Sequence, residues 1–186
     1  MITLGVDPGS IVTGYGVIGK SEAGFRVFDY SAIRPGGKCD FPQRIKYIYD
    51  TLEKVICAYK PTQLSLETAF YGKNAQSALK LGQVRGAIII LAMNYNLKFV
   101  EYSPREVKKS VAGTGNASKE QVAYMVKKML SIDDEKMALD TSDALAIALC
   151  GHFKSASMAA SEFKKQSRKA TSWGEYILQN PQVVVK

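Results

Sequence analysis

The sequence predicts an α/β domain built on a mixed sheet, and three features predict it. Three apolar runs divided by turn residues open the chain. Stretches with helical apolar spacing then alternate with brief buried strands, and the whole reads β-β-β-α-β-α-β-α-α-α. No internal repeat interrupts that order.

Ile2 to Val6 is a short apolar strand that ends in the turn signal Asp7-Pro8-Gly9-Ser10. Gly14 to Ile18 and Phe25 to Ile33 are two further strands. The Ser21 to Gly24 turn joins them into an antiparallel meander. From Arg44 to Tyr59 the apolar positions Ile45, Ile48, Tyr49, Leu52, Val55, Ile56 and Tyr59 form one helical stripe, which Pro61 stops. Gln63 to Leu66 is a buried strand delivering Glu67, and a second helix begins near Asn74. That helix is almost wholly apolar up to Met93, so it is expected to be buried on all sides. Lys98 to Tyr102 is another strand, and Pro104 suits the first turn of the helix after it. Ser118 and Gln121 have capping-box spacing ahead of a helix with Val122, Met125, Val126, Met129 and Leu130 on one face. After an acidic loop near Asp133 to Glu135, Thr141 to Phe153 is the last core helix.

At 186 residues the chain has room for one domain, placed at 1–153, and a basic C-terminal tail, 154–186. It carries 25 Lys+Arg against 17 Asp+Glu, a net charge of +8, with an isoelectric point near 9.3. That balance favours a polyanionic partner, although a generally basic protein is the plainer alternative. The tail is rich in Ser and Thr and is expected to be flexible; Trp173, Tyr176, Ile177 and Leu178 could dock on a partner or let it pack back as a terminal helix. Cys39, Cys57 and Cys150 are odd in number and lack ligand spacing, which fits reduced thiols better than disulfides or zinc. No basic leader precedes the first strand, and the longest uncharged apolar run is far short of the roughly 18 residues a membrane span needs. A cytoplasmic location is expected.

Four carboxylates then stand out. Asp7 and Glu67 end strands, and Asp140 and Asp143 begin a helix, the edge at which open α/β sheets present their sites. A carboxylate pair at ~5 Å costs roughly 3 kcal/mol at an effective dielectric of ~20. A divalent cation with oxygen ligands relieves that repulsion. Helix capping by Asp140 and Asp143 and a turn at Asp7 explain the spacing equally well.

Longer motifs narrow the choice. Gly5-Val6-Asp7-Pro8-Gly9-Ser10 is followed by Thr13-Gly14-Tyr15-Gly16, then Leu66-Glu67-Thr68-Ala69-Phe70. Next come Lys73-Asn74-Ala75-Gln76-Ser77-Ala78-Leu79-Lys80-Leu81-Gly82-Gln83-Val84-Arg85-Gly86 and Asp140-Thr141-Ser142-Asp143-Ala144-Leu145-Ala146-Ile147-Ala148. In order and spacing these blocks resemble the RuvC family of Holliday-junction resolvases, the crossover junction endodeoxyribonucleases, over roughly residues 1 to 153. The central block is the most specific, because helix packing does not require its polar residues.

The resemblance implies an RNase H-like fold with a mixed five-stranded sheet flanked by helices. It also implies a homodimer that nicks four-way DNA junctions symmetrically, leaving 5′-phosphate and 3′-hydroxyl ends, in recombination and repair. Asp7, Glu67, Asp140 and Asp143 match the family's acidic positions. They would hold two Mg2+ ions about 4 Å apart, with Mn2+ as a substitute. Asp7 would be shared between the ions, and Asp143 would ligate or orient the attacking water. Lys108 and Lys119 match basic positions near the scissile phosphate, and Phe70 matches an aromatic that stacks on unpaired bases, worth ~1–3 kcal/mol per base. Lys73, Asn74, Lys80 and Arg85 share the next helix, some facing DNA and others serving the dimer interface. A branch-migration complex of the RuvA and RuvB type is the implied protein partner. His152, at the end of a core helix, reads as structural.

Two rival classes fit less well. An actin- or sugar-kinase-like ATPase needs a second phosphate loop, and Asp7-Pro8-Gly9 stands alone in a chain too short for two such subdomains. A junction-binding module without chemistry has no reason to keep all four acids. Among nucleases, action on RNA–DNA hybrids or flaps is the runner-up.

Overall fold

The computed structural model describes residues 1–22, 24–37, 39–68, 74–134, 137–166 and 177. Its strands are β1 (Ile2–Asp7), β2 (Thr13–Ser21), β3 (Gly24–Ile33), β4 (Gln63–Glu67) and β5 (Lys98–Tyr102). Its helices are α1 (Phe41–Tyr59), α2 (Ala75–Asn94), α3 (Pro104–Ala112), α4 (Lys119–Leu130) and α5 (Leu139–Gln166). The strands form one sheet in the order β3-β2-β1-β4-β5. β1, β2 and β3 pair antiparallel, whereas β4 and β5 run parallel to β1. The mixed sheet follows from the connections: the meander turns directly, and the two parallel crossovers each carry a helix.

Side-chain alternation divides the sheet into two unlike faces. Leu4, Val6, Leu64 and Leu66 face α1 and α2, forming one core with Ile48, Leu52, Val84 and Ile88. Burial explains α1. Its β-branched Ile45, Ile48, Thr51, Val55 and Ile56 cost a few tenths of a kcal/mol each in helix propensity. Burying Ile48, Leu52, Val55 and Ile56 stabilises by ~1.5–3 kcal/mol each, so packing wins. The opposite face carries Thr3, Gly5 and Asp7 from β1 and Gln63, Ser65 and Glu67 from β4. There α5 approaches closely: a Cβ on Gly5 would lie 2.2 Å from the Ala144 carbonyl oxygen, and one on Gly151 2.6 Å from Ser65 Oγ. A second core, formed by α3, α4 and α5 with Ile18 and Tyr102, fills this side.

Three expectations change in the structure. α2 is not buried on all sides: Val84, Ile88, Leu91 and Ala92 are inside, but Leu79, Ile90 and Met93 are 69%, 58% and 47% exposed. Apolar content alone does not show which residues have a neighbour to bury against, and α2 lies at the outside of the α1–α2 layer. α1 starts three residues earlier than its apolar stripe, at Phe41, because Asp40 and Gln43 form a reciprocal capping box and Pro42 occupies the first turn. The last helix continues past Phe153 to Gln166. The chain divides between Phe153 and Lys154 into two units, and all four acids belong to the first. Trp173, Tyr176 and Leu178 lie outside the described residues. Among the described residues no helix is long and apolar enough to cross a membrane.

Candidate active site

Strand register brings the first two acids together. Val6 of β1 pairs with Leu66 of β4 in parallel, so Asp7 and Glu67 are the next residues on neighbouring strands and point to the same face. They stand one strand spacing apart, about 4.8 Å along the hydrogen-bonding direction. The start of α5 supplies the other two. A Cβ on Gly14, the residue opposite Asp7 in the β1–β2 ladder, would lie 1.9 Å from the Asp140 carbonyl oxygen. Asp140 is therefore pressed against the residue of β2 that pairs with Asp7, and Asp143 follows three residues later on the same helix face.

Charge and burial then act on one another. The Asp7 carboxyl is pushed up to about 7, first by burial and then by Glu67, Asp143 and Asp140, with Lys119 pulling the other way. Glu67 is raised by burial and by Asp143, against Lys119, Lys108 and Arg85. Lys119 Nζ lies 3.2 Å from Asp143 Oδ2, and its ammonium is held above the usual lysine range chiefly by that carboxylate. A cleft of about 270 Å³ is lined by Glu67, Asp143, Lys108 and Lys119 among others. Among the described residues no three His, Cys, Asp or Glu side chains already stand close enough to enclose an ion. The donor chemistry nevertheless fits a hard cation, since carboxylate oxygens are its preferred ligands and burial with three neighbouring acids raises the Asp7 carboxyl.

The profile of the crossover junction endodeoxyribonuclease RuvC family matches residues 3–152. The chain belongs to the RuvC family. It is 47% identical to the crossover junction endodeoxyribonuclease RuvC of Chlorobium phaeobacteroides over the full length of both chains. It is 48% identical to that of Pelodictyon phaeoclathratiforme, covering 100% of this chain and 98% of the relative. The structure of Thermus thermophilus RuvC in complex with Holliday junction substrate superimposes with a TM-score of 0.78 at 29% identity, covering 83% of this chain and 94% of that one. The yeast mitochondrial Holliday junction resolvase Ydc2 shares the fold at 15% identity and a TM-score of 0.59, covering 87% of this chain and 85% of its own. The fold is RNase H-like, with the mixed five-stranded sheet flanked by helices.

In this RuvC-family chain the remaining candidate residues separate. Lys108 and Lys119 reach the cleft, from α3 and from the first turn of α4, whose Ser118–Gln121 capping box forms as the spacing predicts. Asn74 caps α2, its side-chain oxygen accepting from the backbone of Gln76 and Ser77 at 3.0 and 3.2 Å. Lys80 lies over the Phe41 ring, 5.7 Å from its centroid. Arg85 turns inward: its guanidinium donates to the Glu67 carbonyl oxygen and to the Glu101 carboxylate. Phe70 and Lys73 lie outside the described residues. His152 is buried, 3.4 Å from the Ile18 carbonyl oxygen, and burial lowers its pKa.

Glu101 carries no local signal in the sequence: it lies at an exposed position of β5, of which only Tyr102 is buried, and its partnership with Arg85 appears only in the fold. Gly5, Gly14 and Gly16 belong to the motif blocks, and their role is steric. Their period-two spacing on facing strands marks the path along which α5 is seated.

Proposed function

We propose that this chain is a structure-specific endonuclease that resolves four-way DNA junctions by paired symmetric nicks. The observation that supports the reading most is the seating of Asp140 against Gly14, the ladder partner of Asp7, while Asp7 and Glu67 end paired strands and Glu67, Asp143, Lys108 and Lys119 line one cleft. Four acids at a sheet edge inside a chain of net charge +8 suit a phosphodiester backbone around a metal centre.

Asp7, Glu67, Asp140 and Asp143 would hold two Mg2+ ions, or Mn2+ in their place, with Asp7 shared between them. When bound, these ions supply the polarisation that turns water into a nucleophile and the 3′-oxygen into a leaving group, so that 5′-phosphate and 3′-hydroxyl ends result. Asp143 would orient the incoming water; its position on one helix face with Asp140 and its pairing with Lys119 support that role. Lys119 and Lys108 would neutralise phosphoryl oxygens, an electrostatic contribution worth several kcal/mol when preorganised. Phe70, close after Glu67 in sequence, would stack on bases unpaired at the crossover.

The exposed stripe of α2 supports a homodimer. Leu79, Gly82, Gly86, Ile90 and Met93 recur at helical spacing, and a Cβ on either glycine would meet nothing within 4 Å. A second copy packed there would cover this apolar surface, and an isologous pair would present one site to each of two equivalent strands. Residues 1–153 act as the nuclease domain in this reading. The tail 154–186 adds non-specific attraction to DNA, and a branch-migration complex of the RuvA and RuvB type supplies the junction in the cytoplasm.

A synthetic four-way junction, a linear duplex and an RNA–DNA hybrid, each incubated with protein and Mg2+ and resolved on denaturing gels, test this. Symmetric nicks in the junction alone are expected. Equal or greater cleavage of the hybrid, or none of the junction, would overturn the reading.

A further inference from the structure

The Arg85 side chain is only 12% exposed although it ends in a charge. It rises from α2, on the sheet face opposite α5, and reaches the end of β4. One terminal nitrogen donates to the Glu67 backbone carbonyl, and the other pairs with the Glu101 carboxylate of β5. Glu101 lies opposite Leu66 and Tyr102 opposite Glu67 in the β4–β5 ladder. The residue after Glu67 is tied to the same strand, since Thr68 N donates to the Tyr102 carbonyl at 2.9 Å. The main chain at Glu67 is thus held on both sides of its peptide group, immediately before residues 69–73.

We propose that Arg85, itself held by Glu101, is a positioning residue for Glu67: it clamps the main chain of that acid from behind the sheet and keeps its carboxylate beside Asp7. The inference rests on the proposed role of the four acids and deepens it. A strand end followed by a long connection is where fraying would begin, and Glu67 lies on its last residue. A planar fork satisfies a carbonyl and a carboxylate at once, which one ammonium cannot do with the same geometry. The Arg85 guanidinium is consumed inside the chain, so it is not one of the phosphate contacts.

The test uses the full chain with Arg85→Leu, Arg85→Lys and Glu101→Gln. Junction affinity is measured without metal across a salt series, single-turnover nicking in saturating Mg2+, and melting temperature with and without Mg2+. Arg85→Leu is expected to slow nicking at least tenfold, with junction affinity changed less than threefold and the slope of log affinity against log salt unchanged. Its Mg2+-induced rise in melting temperature should shrink, because ions that bind the folded site more weakly stabilise it less. Arg85→Lys should rescue little, and Glu101→Gln should recover part of the rate by keeping an acceptor. A weaker salt slope, by about one, with affinity loss would make Arg85 a phosphate contact instead. A lower melting temperature with nicking and the Mg2+ response intact would make it a brace for the fold alone. Should Arg85→Leu fail to fold, an unchanged rate and Mg2+ response in Glu101→Gln would equally overturn the proposal. Failure of the wild type to nick junctions would count against the proposed function, whereas the Mg2+-induced stabilisation still reads out the clamp.

Discussion

Gly14 stands where the backbone of Asp140 passes: a Cβ there would lie 1.9 Å from the Asp140 carbonyl oxygen and 2.4 Å from its carbon. Glycine is needed at this point for space, since its backbone angle is ordinary strand. The contact joins sheet geometry to chemistry, because Gly14 is also the ladder partner of Asp7.

Gly14→Ala should therefore move the start of α5 away from the strand ends. Overpacking of this kind costs ~1–3 kcal/mol, and a displacement of about 1 Å at a reacting centre can cost ~100-fold in rate. Nicking should fall by about two orders of magnitude while the melting temperature drops by several degrees. Wild-type activity in Gly14→Ala would mean that this approach does not set the acids.

Asp7→Asn should abolish nicking and leave junction binding intact, since the substitution removes a negative charge facing phosphate. Its effect on stability depends on pH. The Asp7 carboxyl titrates near 7 in the folded protein against 3.8 as a free group. Between those values the folded state binds the extra proton, so metal-free wild type loses stability as pH rises from about 4 to above 7. Asp7→Asn lacks that loss and should be more stable than wild type at pH 8 by a few kcal/mol, with little advantage at pH 3.5. Urea denaturation at the two pH values in chelator measures the difference. A variant less stable at pH 8 would contradict a packed acidic cluster.

Lys119→Met should lower the nicking rate by ~10²–10³ if its ammonium neutralises the reacting phosphate. The same change removes the charge that holds the Asp7 and Glu67 carboxyls down. The pH midpoint at which metal-free stability falls should accordingly move upward. A midpoint that stays put would show that Lys119 does not share the field of the acids.

Ile90→Glu tests the dimer separately from chemistry. Ile90 is 58% exposed, so the fold should survive while sedimentation shows a monomer at concentrations where wild type is dimeric. Mixed dimers of wild type and Asp7→Asn should nick one strand per binding event. Efficient cutting of both strands by mixed dimers would mean that one site serves both.

Period and punctuation determined much of this protein. The turn at Asp7-Pro8-Gly9, the stripe from Ile45 to Tyr59 and the Ser118–Gln121 box are local signals, each deciding a backbone state within a few residues. The order of the ten elements among the described residues follows from such signals, and the motif blocks carried the family. The exposed stripe of α2 was not legible, because Leu79, Ile90 and Met93 have the same apolarity as buried neighbours. Burial depends on which elements lie alongside. The inward turn of Arg85 was hidden for the same reason, because no local pattern shows that Glu101, sixteen positions away, lies beside it. The sequence by itself therefore determined which residues carry charge and which segments are helix or strand. Only the tertiary structure decided which charges meet, because strand register and the close seating of α5 on Gly5 and Gly14 are distances between segments far apart in the chain.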